Sequence, residues 1–190
     1  MIKFEKGVTK EVQNAFNTGF EAMQEKFGKF GKFGKITTIS RVGILNSKNS
    51  TDYGVFYDNS GELLLKFANK KMLCLNTHKK PKKMKKSGEW SSSHPLHIFR
   101  HELGHKYYYD SIKNLAKAKN IEYNKAKKII DDRIYDYIHE RNSDGKFLLN
   151  NLSVYSNNGY LKGQYTEVIA EAFSVVENNS IADELTKLTR

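Results

Sequence analysis

The pentapeptide His101-Glu102-Leu103-Gly104-His105 carries side chains that could perform metal chemistry. On an α-helix, residues four apart lie about 40° apart on one face, so His101 and His105 can bind one Zn²⁺ together. Glu102 lies about 100° further round the helix, where it can reach a water held at the metal and act as a general base. The spacing therefore predicts a zinc-binding helix, with a chance match on a core helix as the alternative.

A catalytic zinc site needs a third protein ligand, and the better candidates lie far along the chain. The metzincin pattern would place a histidine six residues after His105, but Ser111 stands there. Glu167 and Glu171 are four residues apart in the largely apolar segment 166–173, so on a helix they share a face. Burying both charges is costly unless a zinc ion offsets one and an imidazole N–H the other. A solvated acidic stripe is the alternative.

These two motifs resemble a known family. A histidine–glutamate pentapeptide followed by a glutamate on a later helix is similar to the gluzincins, the group of zinc metallopeptidases that includes thermolysin. Residues 160–173, YLKGQYTEVIAEAF, are more closely similar to the Y-x(6)-E-x-x-A-E-A-F segment of the anthrax lethal factor catalytic domain. The same combination occurs in zincin-like domains of bacteriophage minor head and head-morphogenesis proteins. The resemblance covers the C-terminal half of the chain.

The resemblance implies a role for each matching residue. Glu167 would be the third zinc ligand, and Glu171 would accept a hydrogen bond from a ligand histidine. Tyr160 would stabilise the oxyanion of a tetrahedral intermediate, with Tyr155 as the alternative if the loop register differs. The implied activity is a zinc-dependent metallopeptidase that hydrolyses peptide bonds with a water activated by the metal and Glu102. Two histidines and a glutamate suit zinc best among the common metals.

The same reasoning predicts the kinds of partner. A protein or peptide substrate is expected to lie extended along the edge of the sheet beside the metal helix, by strand addition. The candidate edges are the strands at 53–57 and 62–68. The alternative hypothesis is a phage structural or assembly protein with a zincin fold, in which zinc is mainly structural and the partners are other phage structural proteins.

The composition limits the class of protein. The chain has 190 residues, of which 38% are hydrophobic, and this suits one domain with a sizeable core. Its single cysteine, Cys74, excludes an intrachain disulfide and a cysteine-based zinc cluster. The N-terminal residues carry no secretory signal, and no apolar run is long enough to span a membrane. The expected location is the cytoplasm or an assembled virion, without a membrane partner.

Two basic segments suggest a further partner. The net charge of +11 predicts attraction to acidic molecules. Phe-Gly-Lys occurs three times across 27–35, and a dense lysine run occupies Lys79–Lys86. Either segment could contact nucleic acid, through phenylalanine stacking or lysine–phosphate pairs. The alternatives are a loop whose phenylalanines dock on the domain for the first segment, and a solvated, mobile loop for the second.

Apolar periodicity and turn residues predict an α+β fold, with a small, mostly antiparallel sheet followed by the metal helix and a helical C-terminal half. One zincin-like domain, 1–190, would comprise an N-terminal helix and basic connector (1–35), the sheet and metal helix (36–110), and a helical part with the third ligand (111–190). We predict helices at 8–26, from Ser93, and at 112–142, 166–178 and 181–188; strands at 36–42, 53–57, 62–68 and 72–75; and a loop at 146–163. His94 and His97 are expected to support the site or lie on the surface.

Overall fold

Small sheets in the N-terminal half and helices through the C-terminal half give the chain an α+β architecture, which confirms the predicted class. A computed structural model of the chain describes residues 3–6, 8, 10–26, 41–44, 54–59, 62–65, 67–68, 71–72, 79–94, 96–175 and 179–190. The predictions for the Phe-Gly-Lys repeat, for 36–40 and for 73–75 lie outside the described residues. Within the described part, none of the helices is both long and apolar enough to cross a membrane.

The strands form two small sheets. They are β1 (Arg41–Ile44), β2 (Gly54–Tyr57), β3 (Glu62–Leu65), β4 (Phe67–Ala68) and β5 (Lys71–Met72). The strand order in the first sheet is β1-β3-β2, and β4 pairs with β5 in the second. β2 and β3 form the predicted antiparallel hairpin across the turn at Asp58 and Asn59, but β1 runs parallel to β3. Among the described strands, β2 is therefore an edge, and it packs against the helix that carries His101 and His105.

The helices supply most of the core. They are α1 (Lys10–Lys26), α2 (Lys79–Lys86), α3 (His97–Lys119), α4 (Tyr123–His139), α5 (Phe147–Asn151), α6 (Val154–Leu161), α7 (Tyr165–Ser174) and α8 (Ser180–Lys187). α3 is the central helix, and its first turns are buried on every side because α1, β2 and α7 all pack against it. α1 docks through the Phe16 ring, which meets the Phe99 ring edge-on at 4.2 Å between centroids.

Gly104 lets α3 and α7 approach closely. A Cβ atom at Gly104 would lie 2.5 Å from the Ala170 Cα, a distance that a side chain cannot occupy. The pentapeptide glycine and the alanine between the two glutamates are therefore the contact point of the two helices. This close crossing brings the carboxylates of α7 to the histidines of α3.

The lysine run Lys79–Lys86 is a helix, so its prediction as a loop was wrong. Lysine has a good intrinsic helix propensity, and solvent and salt screen the repulsion between exposed like charges. Met84 packs against the core and fixes one face of α2, while the lysines described on the other faces stay in solvent. Met84 thus contributes an apolar contact that anchors this short basic helix to the core.

The helix that carries His101 and His105, α3, begins later than predicted. The single helix predicted at 112–142 is divided in two, because its first residues belong to α3 and most of the rest form α4. The helix α3 starts at His97 rather than near Ser93, because Ser91 and Ser92 are buried and hydrogen-bonded elsewhere. It ends at Lys119, where Asn120 adopts a left-handed backbone conformation with φ of 49°. Asparagine tolerates this conformation better than most residues, and it separates α3 from α4.

The segment 146–163 contains two helices, so its prediction as a loop was also wrong. Its asparagines, serines and glycines are typical of loops, but Ser153 here serves as a helix cap. The Ser153 hydroxyl accepts a hydrogen bond from the backbone N–H of Ser156, and the Ser156 side chain accepts one from the backbone N–H of Ser153. This reciprocal capping starts α6.

Candidate metal centre

Three side chains converge where the helices α3 and α7 pack together. His101 and His105 project from α3, and Glu167 projects from the first turn of α7. Glu167 Oε2 lies 3.3 Å from His101 Nε2 and 3.5 Å from His105 Nε2. This oxygen is buried and accepts no hydrogen bond from any residue in the described part of the chain. The ligand atoms of these residues all lie within 4.8 Å of one another, close enough to hold a metal ion.

Hydrogen bonds orient both imidazole rings. His101 Nδ1 donates to Glu171 Oε1 at 2.9 Å, since a carboxylate can only accept. His105 Nδ1 lies 2.8 Å from the Thr166 hydroxyl oxygen. When the two rings are neutral and Nδ1 is the donor in each pair, the lone pair of each Nε2 faces Glu167. This is the tautomer that a metal-ligating histidine needs.

A second group of the same residue types, His97, His101 and Glu171, is also close enough to hold a metal ion. Its carboxylate, unlike that of the first group, has a partner for each oxygen. Glu171 Oε1 accepts from His101 and lies 3.1 Å from His97 Nε2, while Glu171 Oε2 accepts from the Ser91 backbone N–H at 2.8 Å. The His97 ring is buried and stacks on Trp90 at 4.5 Å between centroids.

Burial and the charges of the cluster shift its pKa values in opposite directions. Burial lowers the pKa of His101, but the facing carboxylates of Glu167 and Glu171 outweigh burial and raise it to about 10. Burial and then the neighbouring His101 lower the pKa of His105 to about 4. Burial raises the pKa of Glu171, but His97 and His101 hold it well below its usual range. The carboxylates are thus ionised around one imidazolium, and a metal cation could replace that proton.

The converging residues open onto a cavity of about 290 Å³. Its walls include the three possible ligands together with Glu102, Tyr155 and the β2 residues 54–56. Glu102 is only 6% exposed, and its side chain packs where a Cβ at Gly54 would stand, 2.8 Å away. The edge strand, a carboxylate and the histidine–glutamate cluster therefore share one cleft.

Tyr155, rather than Tyr160, stands beside the cluster. The Tyr155 ring meets the His101 ring edge-on at 5.5 Å between centroids, and its side chain is 45% exposed at the cavity wall. Tyr160 instead packs among aromatic side chains, with its ring 6.1 Å from that of Tyr135 and 6.3 Å from that of Tyr165. The structure therefore brings Tyr155, His101, Glu102, His105 and Glu167 together and leaves Tyr160 outside the cavity lining.

A second cavity of about 360 Å³ adjoins the first. It shares Gly54, His101, Glu102 and Tyr155 with the first cavity. Its own walls come from α2, the segment after it and α3: Met84, Glu89, Trp90, His97, Ile98, and Glu171 from α7. We call these two adjoining cavities along α3 the cleft.

Sequence reasoning missed three residues that support the cluster. Thr166 orients His105, Ser91 holds Glu171 through its backbone N–H and its hydroxyl, and Trp90 stacks on His97. Of these three residues, only Thr166 could have been suspected from the sequence, because it directly precedes the candidate ligand Glu167. Comparisons of the chain with protein-family models, with curated proteins and with solved structures found no match.

Proposed function

We propose that this protein is a zinc-dependent metallopeptidase of the gluzincin type. His101, His105 and Glu167 hold the metal, and Glu102 is the general base. The observation that carries the proposal is the buried Glu167 Oε2, which faces both Nε2 atoms and has no hydrogen-bond partner within the described residues. A buried carboxylate oxygen without a partner is costly, and a cation between the three atoms would remove that cost.

The donor set and its spacing fit zinc. Bond lengths of about 2.0–2.1 Å and a tetrahedral arrangement put neighbouring ligand atoms about 3.3 Å apart. The Glu167 oxygen lies 3.3 Å and 3.5 Å from the two Nε2 atoms. Two imidazoles and one carboxylate leave a fourth position open, as in catalytic rather than closed structural sites. The Nδ1 partners, Glu171 and Thr166, are the outer hydrogen bonds that such ligands usually make.

The chain's own groups are arranged for peptide hydrolysis. A bound zinc would polarise the scissile carbonyl and make water more acidic. Glu102 lines the cavity beside the ligands, where its carboxylate takes a proton from the attacking water and passes it to the leaving amine. The Tyr155 hydroxyl donates a hydrogen bond to the carbonyl oxygen as negative charge develops there. We assign to Tyr155 the role that the family resemblance implied for Tyr160.

The substrate lies in the cleft as an extended chain. β2 is an edge strand among the described residues, and its residues 54–56 line the cavity that holds the ligands. Unpaired backbone groups of such an edge can bind a peptide by strand addition. This places the scissile bond between β2 and the ligands.

Zinc content and peptide hydrolysis, measured on the wild type and on Glu102→Gln, test the proposal. We expect about one zinc per chain in both proteins and loss of hydrolysis in the variant, since an amide cannot accept the proton. Glu122→Gln, an exposed carboxylate before α4, is the matched control and should keep both properties. Undiminished hydrolysis in Glu102→Gln would remove Glu102 from the mechanism, and absence of zinc from the wild type would overturn the proposal.

A structural role for the metal is the second candidate. The three ligands join α3 to α7, the two helices that make the central packing contact, so a metal there would also cross-link the core. This suits an assembly protein, such as a phage head component, in which zinc is mainly structural. A Glu102→Gln protein that assembles and functions normally in its particle, together with a large fall in Tm on chelation, would favour this candidate over the peptidase.

A further inference from the structure

The lysine-rich helix α2 lies at one end of the substrate cleft. Its Met84 side chain lines the second cavity together with His101 and Glu102. Backbone hydrogen bonds hold the segment after the helix: Val154 N–H donates to the Gly88 carbonyl at 2.7 Å, and Trp90 N–H donates to the Met84 carbonyl at 3.3 Å. The helix therefore has a fixed position relative to the cluster.

Helix geometry places two of the lysines at the rim of the cleft. Because successive residues are about 100° apart, Lys83 and Lys85 flank Met84 on either side, whereas Lys82 and Lys86 lie about 160° away from it. All four side chains are exposed. With Met84 facing the cavity, these angles would put Lys83 and Lys85 at its rim and direct Lys82 and Lys86 away from it.

A chain bound along β2 would reach α2. Phe56 and Val55 line only the first cavity, whereas Gly54 lines both cavities. A peptide that runs beside β2 from Phe56 towards Gly54 therefore passes the ligands, enters the second cavity and arrives at Met84. Its next residues would lie between Lys83 and Lys85.

On these grounds we propose that α2 determines specificity, and that the substrates are protein segments with an uncharged, apolar side chain in the second cavity and acidic residues just beyond it. This inference rests on the proposed peptidase function. Met84, Trp90 and Ile98 give that cavity apolar walls, and Glu89 in its lining disfavours an acidic side chain inside it. Lys83 and Lys85 then provide complementary charge for the acidic residues.

The location of the lysines favours a peptide over a nucleic acid as the partner. An edge strand recognises a repeating pattern of N–H and C=O groups, which only a polypeptide offers. Met84, which stands between Lys83 and Lys85 in the chain, lines a cavity that this edge also lines through Gly54. Nucleic-acid binding is one of the outcomes that the experiment distinguishes.

The test uses peptides of one design and the only tryptophan, Trp90, which lines the second cavity. Each peptide carries a central Leu-Phe pair, with either Glu-Glu or Lys-Lys placed a few residues before or after it. Binding is measured by Trp90 fluorescence on zinc-loaded Glu102→Gln, and cleavage is measured as kcat/KM on the active protein. A single-stranded DNA oligonucleotide is the competing probe.

The matched variants are Lys83→Gln/Lys85→Gln at the rim and Lys82→Gln/Lys86→Gln on the opposite face of α2, which change the net charge equally. We expect one of the Glu-Glu peptides to bind and react best, with the rim variant losing about tenfold in affinity and kcat/KM and the other variant less than about twofold. Equal use of acidic and basic peptides, or equal losses in the two variants, would overturn the inference even if the protein is an active peptidase.

Two further outcomes separate this inference from the proposed function. Selective binding of a Glu-Glu peptide that depends on Lys83 and Lys85, without any cleavage by the wild type, would support the acidic-peptide surface and count against the peptidase. Oligonucleotide binding that displaces every peptide, falls steeply with salt and weakens in the rim variant would assign α2 to nucleic acid and overturn the inference.

Discussion

Two groups of histidine and glutamate share His101, and their hydrogen bonding separates their roles. In the group with His97 and Glu171, both carboxylate oxygens have partners. In the group with His105 and Glu167, one buried carboxylate oxygen has no hydrogen-bond partner among the described residues and faces two imidazole nitrogens. Geometric proximity alone does not distinguish the two groups. The group with the unsatisfied carboxylate is suited to bind a cation, and the group with the satisfied carboxylate is suited to hold the shared histidine in place.

The largest difference is expected between the two glutamates. Glu167→Ala removes the proposed third ligand and should leave no stoichiometric zinc after dialysis, as measured by elemental analysis. Far-ultraviolet circular dichroism should remain close to that of the wild type, because Glu167 is only partly buried and lies at the cavity wall. Zinc retained in full by Glu167→Ala would mean that the third ligand is another residue, and that the group with His105 and Glu167 is not the metal-binding group.

Glu171→Gln is the matched change in the group with the satisfied carboxylate. An amide oxygen can still accept the hydrogen bond from His101 Nδ1, so zinc should bind about 10–100-fold more weakly rather than being lost. Competition with a chelating dye measures the affinity. A complete loss of zinc in this variant would make Glu171 a ligand in its own right.

The two tyrosines provide the next largest contrast. Tyr155→Phe removes the hydroxyl beside His101 and should lower kcat by about a hundredfold with little change in KM, the loss typical of one oxyanion donor. Tyr160→Phe, in the aromatic cluster with Tyr135, should change kcat less than about twofold. Zinc content should stay unchanged in both. The opposite pattern would restore the role that the family resemblance implied for Tyr160.

The shared histidine predicts a pH dependence. The pKa of His101 is raised from 6.5 to about 10, so the metal-free protein gains stability from this proton below pH 6.5 and loses it as pH rises through 10. Zinc must displace that proton, so zinc affinity should fall about tenfold for each pH unit lowered within this window. The Tm difference between zinc-loaded and chelator-treated protein should accordingly widen from pH 6.5 upwards. A difference independent of pH would mean that no proton is displaced.

The smallest expected effect tests the support role of His97. His97→Phe keeps an aromatic ring against Trp90 but removes the contact with Glu171. Loss of one buried hydrogen bond is worth about 1 kcal/mol, so zinc affinity should fall about fivefold. His139→Phe, an exposed histidine at the end of α4, is the control. An affinity loss as large as that of Glu167→Ala would make His97 part of the binding group.

Local patterns predicted the elements whose residues interact within one or two helical turns. The pentapeptide spacing placed both histidines on one face of α3, and the spacing of Glu167 and Glu171 placed both carboxylates on α7. The helical period depends only on backbone geometry, so these predictions needed no tertiary information. The β2–β3 hairpin was predicted in the same way from its turn residues.

Whether Tyr155 or Tyr160 faces His101 depends on the helix α6, which the loop-like composition of this segment did not predict. Once the Ser153–Ser156 cap starts α6, Tyr155 and Tyr160 are five residues apart on one helix and point about 140° away from each other. Only one of them can face His101. The loop prediction could not choose between Tyr155 and Tyr160, because it does not specify where either side chain points.

The sequence alone therefore determined the identity and the helical faces of the histidines and glutamates. Only the tertiary structure decided which carboxylate oxygen lacks a hydrogen-bond partner among the described residues, that β2 borders the cleft, and that Met84 of α2 lines it. These features arise from contacts between residues far apart in the chain, such as the close approach of Gly104 to Ala170. No local period encodes such contacts, because they depend on how complete helices pack together.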